Sequence, residues 1–320
     1  MIGIRLNCIL FLSLLFICIS GKLWAWSLDK LIIPSRSHLL KKTQFTDQDV
    51  VLYNKNNSKT LSEKIQDLSY CKKNDIRKYL YYFLTKHKKF TIRAIFRSQR
   101  HIKEVLQILN EFDTVPKEIS LLPLLESAYT PYAVSRSKAV GLWQLMFKTS
   151  MQLGLKVNYW IDERRSVEKS TIVALRHLNN LYKIFKSWEL AIAAYNGGGK
   201  CVADAIRVAG KKNLWHLLAE EVLPRETHEY VPKFIALAII YNNQVEFGIK
   251  EEIKKIPEYK KTTVVLKQPV YLNRLAKSLN ISLKQIRLLN PELKRNVTPP
   301  MIHNYELIVP DKYKDVLAKN

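Results

Sequence analysis

From Asp75 to Tyr241 the apolar residues recur at helical rather than strand spacing, and this regularity restricts the region to an all-α architecture. Ile76, Leu80, Phe83 and Leu84 mark one amphipathic stretch, and Ile102, Val105, Leu106 and Leu109 mark another. The spacing predicts two helices here, joined near 88–91. Asp113-Thr114-Val115-Pro116 is a helix start signal, and Leu121, Leu122, Leu125 and Ala128 form the apolar face that follows. Further helices are expected at about 141–153, with Gly154 as the stop, and over 166–185, 189–196, 202–208 and 224–241. After Asn243 the pattern changes to a charged linker at 250–261, a short strand at 262–266, helices at 272–279 and 283–289, and a second strand at 305–309. This β-α-α-β order describes a separate module of about 50 residues, small enough to have a marginal core of its own.

The amino terminus has a different composition. Arg5 precedes an apolar run from Ile9 to Ile19, and Ser20-Gly21 follow. This arrangement reads as a secretory signal or an uncleaved anchor, and the run is shorter than the ~20 apolar residues of a relaxed spanning helix. Cys18 follows Ile17 rather than the small residue of a lipobox, so attachment would rest on the apolar run and not on an acyl chain. Residues 27–70 are polar and read as a linker or a loosely packed entry. The other two cysteines, Cys71 and Cys201, have no Cys-x-x-Cys or His-rich context, which argues against zinc.

The most informative residue within the helical region is Glu126. It follows Leu121-Leu122-Pro123-Leu124-Leu125, where an ionised carboxylate is poorly solvated and favours its protonated form. An acid that holds its proton near neutral pH is what cleavage of a glycosidic bond requires, because the departing oxygen must be protonated. An exposed glutamate at a helix end is the plainer reading of the same spacing.

Four segments in order carry a resemblance: Glu126-Ser127-Ala128-Tyr129, Gly141-Leu142-Trp143-Gln144-Leu145-Met146, Ala194-Tyr195-Asn196-Gly197-Gly198 and Glu226-Thr227-His228-Glu229-Tyr230-Val231. Together they resemble the lysozyme-like soluble lytic transglycosylase domain, over about Val115 to Tyr241. The C-terminal module is similar to a diverged LysM repeat, best at Leu288-Leu289-Asn290-Pro291. The resemblance implies a mainly α fold, with a lysozyme-like catalytic domain, a preceding helical segment and a small C-terminal βααβ LysM-like module. It also implies a division into a signal peptide or membrane anchor (1–25), a linker and helical segment (26–114), a catalytic domain (115–245), and a linker with a peptidoglycan-binding module (246–320). Glu126 resembles the catalytic glutamate, and Ser135 the serine that orients it or the substrate. Gln144 and Met146 resemble groove residues, Tyr195 and Asn196 the pair that shapes the pocket, and Glu226 a supporting glutamate, with Tyr230 one helical turn further on. Phe147 stands where the family has proline, and Gly199 where related chains carry a polar residue.

The implied reaction is cleavage of peptidoglycan glycan strands between N-acetylmuramic acid and N-acetylglucosamine, leaving 1,6-anhydromuramic ends, with no metal and no cofactor. Asp162 and Glu163 are the obvious second carboxylates for a hydrolase of the same fold, and they read more simply as a helix-start cap on a surface loop. Two other readings remain: a water-using muramidase and a non-catalytic peptidoglycan-binding protein. Trp143 either walls the pocket or is a core residue, and Gly197-Gly198-Gly199 either admits a glycan or ends a helix. The net charge of +24 fits an anionic partner or a general drift toward Lys, Asn and Ile. The basic residues are dispersed and form no nucleic-acid motif, so no nucleic-acid partner is expected. The expected form is a monomer in the periplasm, associated with the envelope membrane through its N-terminal segment. As a separate module, 262–320 is expected to contribute to sacculus binding more than to the intrinsic rate.

Overall fold

The computed structural model describes residues 63, 65, 69–256 and 260–313. The N-terminal apolar run, Cys8, Cys18 and nearly all of the 27–70 segment lie outside the described residues. Among the described residues, ten α-helices precede residue 243: α1 (Asn74–Leu84), α2 (Lys88–Ser98), α3 (Ile102–Leu109), α4 (Leu122–Ser127), α5 (Phe147–Gln152), α6 (Val167–Phe185), α7 (Trp188–Gly197), α8 (Gly199–Ala209), α9 (Leu214–Ala219) and α10 (Arg225–Asn242). The C-terminal module follows as β1 (Lys261–Leu266), α11 (Leu272–Ser278), α12 (Leu283–Leu289) and β2 (Tyr305–Pro310). The mainly helical reading therefore holds, and the βααβ order appears as expected.

Helix α10 is the hub. Phe234, Ile235, Ala236, Leu237, Ala238, Ile239 and Ile240 are all buried, so this helix is apolar on every side along its second half. It packs against α1, α4 and α7, while α6 packs against α3 and α7. Burial of each large aliphatic side chain contributes roughly 1.5–3 kcal/mol, and this central position fixes α4 and α7 relative to α10. Side-chain caps set several boundaries: Ser166 accepts from the Lys169 amide, Ser187 from that of Leu190, and Asn213 from that of His216.

Three local expectations are corrected. The stretch from Asp75 to Asn110 forms three helices, because the chain turns at Thr85–His87, where the Thr85 hydroxyl caps the Tyr81 carbonyl, and again at Arg100-His101. The expected helix at 141–153 is reduced to α5, because Gly141 (φ 87°) and Gln144 (φ 47°) lie in the left-handed region and the segment before α5 instead pairs Val140 with Val134 and Leu145. Helix α9 was not foreseen, since its six residues are too few to show a period.

In the module, β1 and β2 pair antiparallel with Val264 opposite Leu307, and alternate residues Tyr305, Leu307 and Val309 face the interior. Leu272, Leu275, Ala276, Leu279, Ile286 and Leu293 complete this core, and Ser282 with Gln285 forms a capping box at the start of α12. One member of the core, Ile161, comes from the helical domain.

Candidate active site

Glu126 lies in the last turn of α4, a short helix whose first three residues, Leu122, Pro123 and Leu124, are buried. The helix ends abruptly, because Ala128 (φ 47°) and Tyr129 (φ 57°) both adopt left-handed backbone without being glycine. Such conformations persist only where the surroundings enforce them. Here the Tyr129 hydroxyl donates to the Ser120 carbonyl at 2.6 Å, the Ser127 hydroxyl donates to the Leu142 carbonyl at 2.8 Å, and the Thr130 amide donates to the Ser127 hydroxyl at 3.1 Å. The turn after Glu126 is thereby tied to the loop that carries Gln144.

Burial raises the Glu126 carboxyl from 4.5 to about 7; the Tyr230 hydroxyl opposes that rise by donating to Glu126 Oε1, and the nearby Glu226 carboxylate adds to it. The residue as a whole is half-buried. A carboxyl group can thus be desolvated and still be reached from the groove. At neutral pH it is about half protonated, the condition in which a group serves as acid and then as base. Tyr230 itself is buried one turn along α10 from Glu226 and Thr227, and its phenol stays protonated because burial and the adjacent Glu126 both disfavour the phenolate.

Tyr195 and Asn196 project from the end of α7. The Tyr195 hydroxyl donates to the Trp143 carbonyl at 2.7 Å, and Glu126 is near enough to raise its pKa further after burial. The His177 ring lies 5.7 Å from that of Tyr195, and burial lowers its pKa. Asn196 bridges to α10: its Nδ2 donates to Glu226 Oε1 at 3.4 Å, and its Oδ1 accepts from the Thr227 hydroxyl at 3.0 Å. Thr227 was quoted within a motif but given no role. Its contact with Gly197 explains one glycine of the triplet, since a Cβ at 197 would lie 2.4 Å from Thr227 Oγ1. The close approach that glycine permits at 197 is therefore between α7 and α10, while Gly198 (φ 88°) forms the helix stop.

The structure brings Glu126, Tyr195, Asn196, Glu226 and Tyr230 into one network of contacts. The loop residues are placed differently. Gln144 Nε2 donates to its own loop, to the Gly141 carbonyl at 2.8 Å and the Ala133 carbonyl at 3.4 Å. Ser135 Oγ accepts from the Ala139 amide at 3.0 Å and pairs with Ser137 Oγ, and it makes no hydrogen bond to Glu126 among the described residues. Met146 is exposed, as are Val134 and Phe147. Met146 has extended backbone and Phe147 opens α5, so the family's proline would fit at this helix start and its replacement leaves the turn intact. Trp143 is a core residue, fully buried, with Nε1 donating to Thr171 Oγ1 at 2.9 Å.

Asp162 and Glu163 correct the surface-loop reading. Both are buried: Asp162 accepts from Arg164 Nε at 2.9 Å and Nη2 at 2.8 Å, and Glu163 accepts from the Lys156 amide and the Lys169 ammonium, each at 2.6 Å. The capping part of the reading holds, since Asp162 caps the short 3-10 helix Glu163–Arg165. With both carboxylates fully engaged in structure, neither is placed as a second catalytic group. Cys71 and Cys201 are free thiols, and no cluster of metal ligands occurs among the described residues. No helix among those residues is long and apolar enough to cross a membrane.

Comparison with known proteins places the chain by sequence. Residues 105–218 match the family described as "Transglycosylase SLT domain", and residues 260–320 match "Lytic transglycosylase MltD, LysM-like domain". The chain is 34% identical over 215 residues to the membrane-bound lytic murein transglycosylase D of Escherichia coli K12, a match covering 64% of this chain and 45% of that protein. The chain therefore spans less than half the length of this curated relative. Among solved structures, it is similar to the lytic transglycosylase Slt of Pseudomonas aeruginosa (22% identity, 44% of this chain and 24% of that one, TM-score 0.38). It is also similar to the 70 kDa soluble lytic transglycosylase of Escherichia coli (19% identity, 43% of this chain and 24% of that one, TM-score 0.38). The chain is thus similar to a transglycosylase SLT domain over 105–218 and to the LysM-like domain of lytic transglycosylase MltD over 260–320.

Proposed function

We propose that this protein is a lytic transglycosylase of the cell envelope that cleaves the β-1,4 bond between N-acetylmuramic acid and N-acetylglucosamine, with Glu126 as its only catalytic acid/base. The observation that carries this reading is a desolvated carboxyl titrating at about 7 with Tyr230 bonded to one of its oxygens. Because Oε1 accepts from Tyr230, the proton of the acid form belongs on Oε2, the other oxygen. Oε2 protonates the glycosidic oxygen as the bond to C1 breaks. The resulting carboxylate, held by the Tyr230 hydroxyl, then removes the proton from the C6 hydroxyl as O6 closes onto C1. The proton returns to Glu126, no water is consumed, and the intramolecular nucleophile gains from high effective molarity.

The hydrolytic alternative calls for a second carboxylate to activate water or form a covalent intermediate, and the ion pairs that engage the buried Asp162 and Glu163 carboxylates argue against them in that role. In this reading Tyr195 and Asn196 frame the sugar above Glu126, Glu226 adds a smaller rise to the one that burial imposes on the carboxyl, and Ser135, Gln144 and Met146 line the groove. Gln144 would offer its acceptor oxygen, since its NH₂ is already spent on the loop. Residues 1–25 would act as signal or anchor, 26–114 as linker and supporting helices, 115–245 as the catalytic domain, and 246–320 as linker and wall-binding module, in a periplasmic, membrane-associated monomer. Glu126→Gln tests the assignment: purified sacculi should release no soluble products while the variant remains folded, and unchanged release would remove Glu126 from its role.

A further inference from the structure

The C-terminal module is joined to the helical domain by more than its linker. Ile161 bridges antiparallel to Leu293, the Asp162 amide donates to the Glu292 carbonyl at 2.9 Å, and the Lys294 amide donates to the Trp160 carbonyl at 2.8 Å. The Ile161 side chain, 2% exposed, belongs to the module's own core. Arg295 lies over the Tyr159 ring at 3.8 Å, and the Tyr132 hydroxyl donates to the Arg287 carbonyl of α12.

This seam leads directly to the groove loop 133–146. Arg164, whose Nε and Nη2 are held by Asp162, donates through Nη1 to the Lys138 carbonyl at 3.2 Å and the Leu145 carbonyl at 3.3 Å. The Arg164 carbonyl oxygen would lie 1.9 Å from a Cβ on Gly141, so its backbone also presses on the loop. The loop needs such support, since Lys138 (φ 67°) and Gln144 (φ 47°) hold left-handed backbone at a cost on the order of 1–3 kcal/mol each. A buried ion pair contributes little to net stability but fixes geometry when all its donors are satisfied, and the guanidinium of Arg164 is bonded on both sides.

We infer that the Asp162–Arg164 pair is a positioning unit that couples docking of the C-terminal module to the shape of the substrate loop 133–146. The module therefore buttresses the groove loop and is not only a wall-binding tether, which adds a second role to the expectation that it contributes to sacculus binding more than to the intrinsic rate. The kinetic consequence rests on the glycan-cleaving reading. Glu126, Tyr195 and Tyr230 stand on α4, α7 and α10 and meet the loop only through the Ser127–Leu142 and Tyr195–Trp143 hydrogen bonds, so loosening the loop should act chiefly on binding, with a smaller effect on the chemical step.

Two full-length variants test this. Ile161→Asp places a carboxylate in the module's core and undocks it, whereas Arg164→Lys keeps the charge but cannot hold Asp162 and the two carbonyls together. Backbone hydrogen exchange across 133–146 should accelerate about tenfold in both. With a short glycan too small to reach the module, KM should rise about five- to tenfold with kcat within about twofold of wild type. Unchanged exchange across 133–146, in an Ile161→Asp protein whose 158–165 segment exchanges faster, would overturn the inference, as would an unchanged KM. Should the wild-type protein fail to cleave any glycan, the proposed function fails, and the exchange measurement alone still decides whether module and loop are coupled.

Discussion

A carboxyl tuned for catalysis should weaken the fold that holds it, and Glu126→Gln measures by how much. The native state raises this group from 4.5 to about 7, so between those values the folded protein binds the proton more tightly than the unfolded chain. Stability must then fall as pH rises through this window and stay low above it. The full penalty on the ionised form is about 3 kcal/mol, and because the residue is only half-buried, groove water leaves about 1–2 kcal/mol of it. Glutamine cannot ionise, and its carbonyl oxygen can still accept from Tyr230. The variant should therefore melt about 2–8 °C above wild type at pH 8.5, at ~2–4 °C per kcal/mol for a chain of this size, and match it at pH 4. Thermal unfolding followed by circular dichroism at the two pH values gives the comparison. Equal midpoints at pH 8.5 would show that the ionised carboxyl is well solvated, and the argument for a proton-holding acid would fail.

Removing the hydrogen bond in Tyr230→Phe should raise the Glu126 pKa and move the alkaline limb of the pH–rate profile up by about 1–2 pH units, since a hydrogen bond to a charged group contributes about 1.5–3 kcal/mol. Glu226→Gln removes a like charge and should move the same limb down, by less; limbs that shift together or not at all would contradict the assigned causes. Gly197→Ala drives a methyl into Thr227 and should cost about 1–3 kcal/mol in denaturant unfolding. Adding Thr227→Ala should recover part of this loss, and a neutral Gly197→Ala would mean that the two helices do not need their close approach.

Much of this was legible in the sequence because it rests on local pattern. The leucines before Glu126 announced a desolvated carboxylate, and the period of 224–241 announced the buried helix that carries Tyr230. The strands and helices of the module fell within a residue or so of their expected bounds, because short apolar runs punctuated by Ser282 and Asn290 leave few alternatives. What escaped depends on partners distant in the chain. Asp162 and Glu163 read as surface residues because nothing nearby in sequence predicts that Arg164 will turn back onto Asp162, or that the module will cover them. Likewise, Gly141 and Gln144 resemble a helix start until the left-handed backbone is seen, and the need for glycine at 141 comes from the Arg164 carbonyl, which is distant in the sequence and leaves no room for a Cβ. Thr227 was hidden for the same reason: its significance comes from the glycine it touches on α7.

The most direct test of a lone acid/base at Glu126 is mass spectrometry of the muropeptides that wild-type protein releases from purified sacculi. Saccharides ending in 1,6-anhydromuramic acid, one water lighter than their reducing counterparts, are the predicted products, and they should be missing from a parallel digest with Glu126→Gln. Reducing ends in their place, or anhydro products persisting in the glutamine variant, would contradict the account.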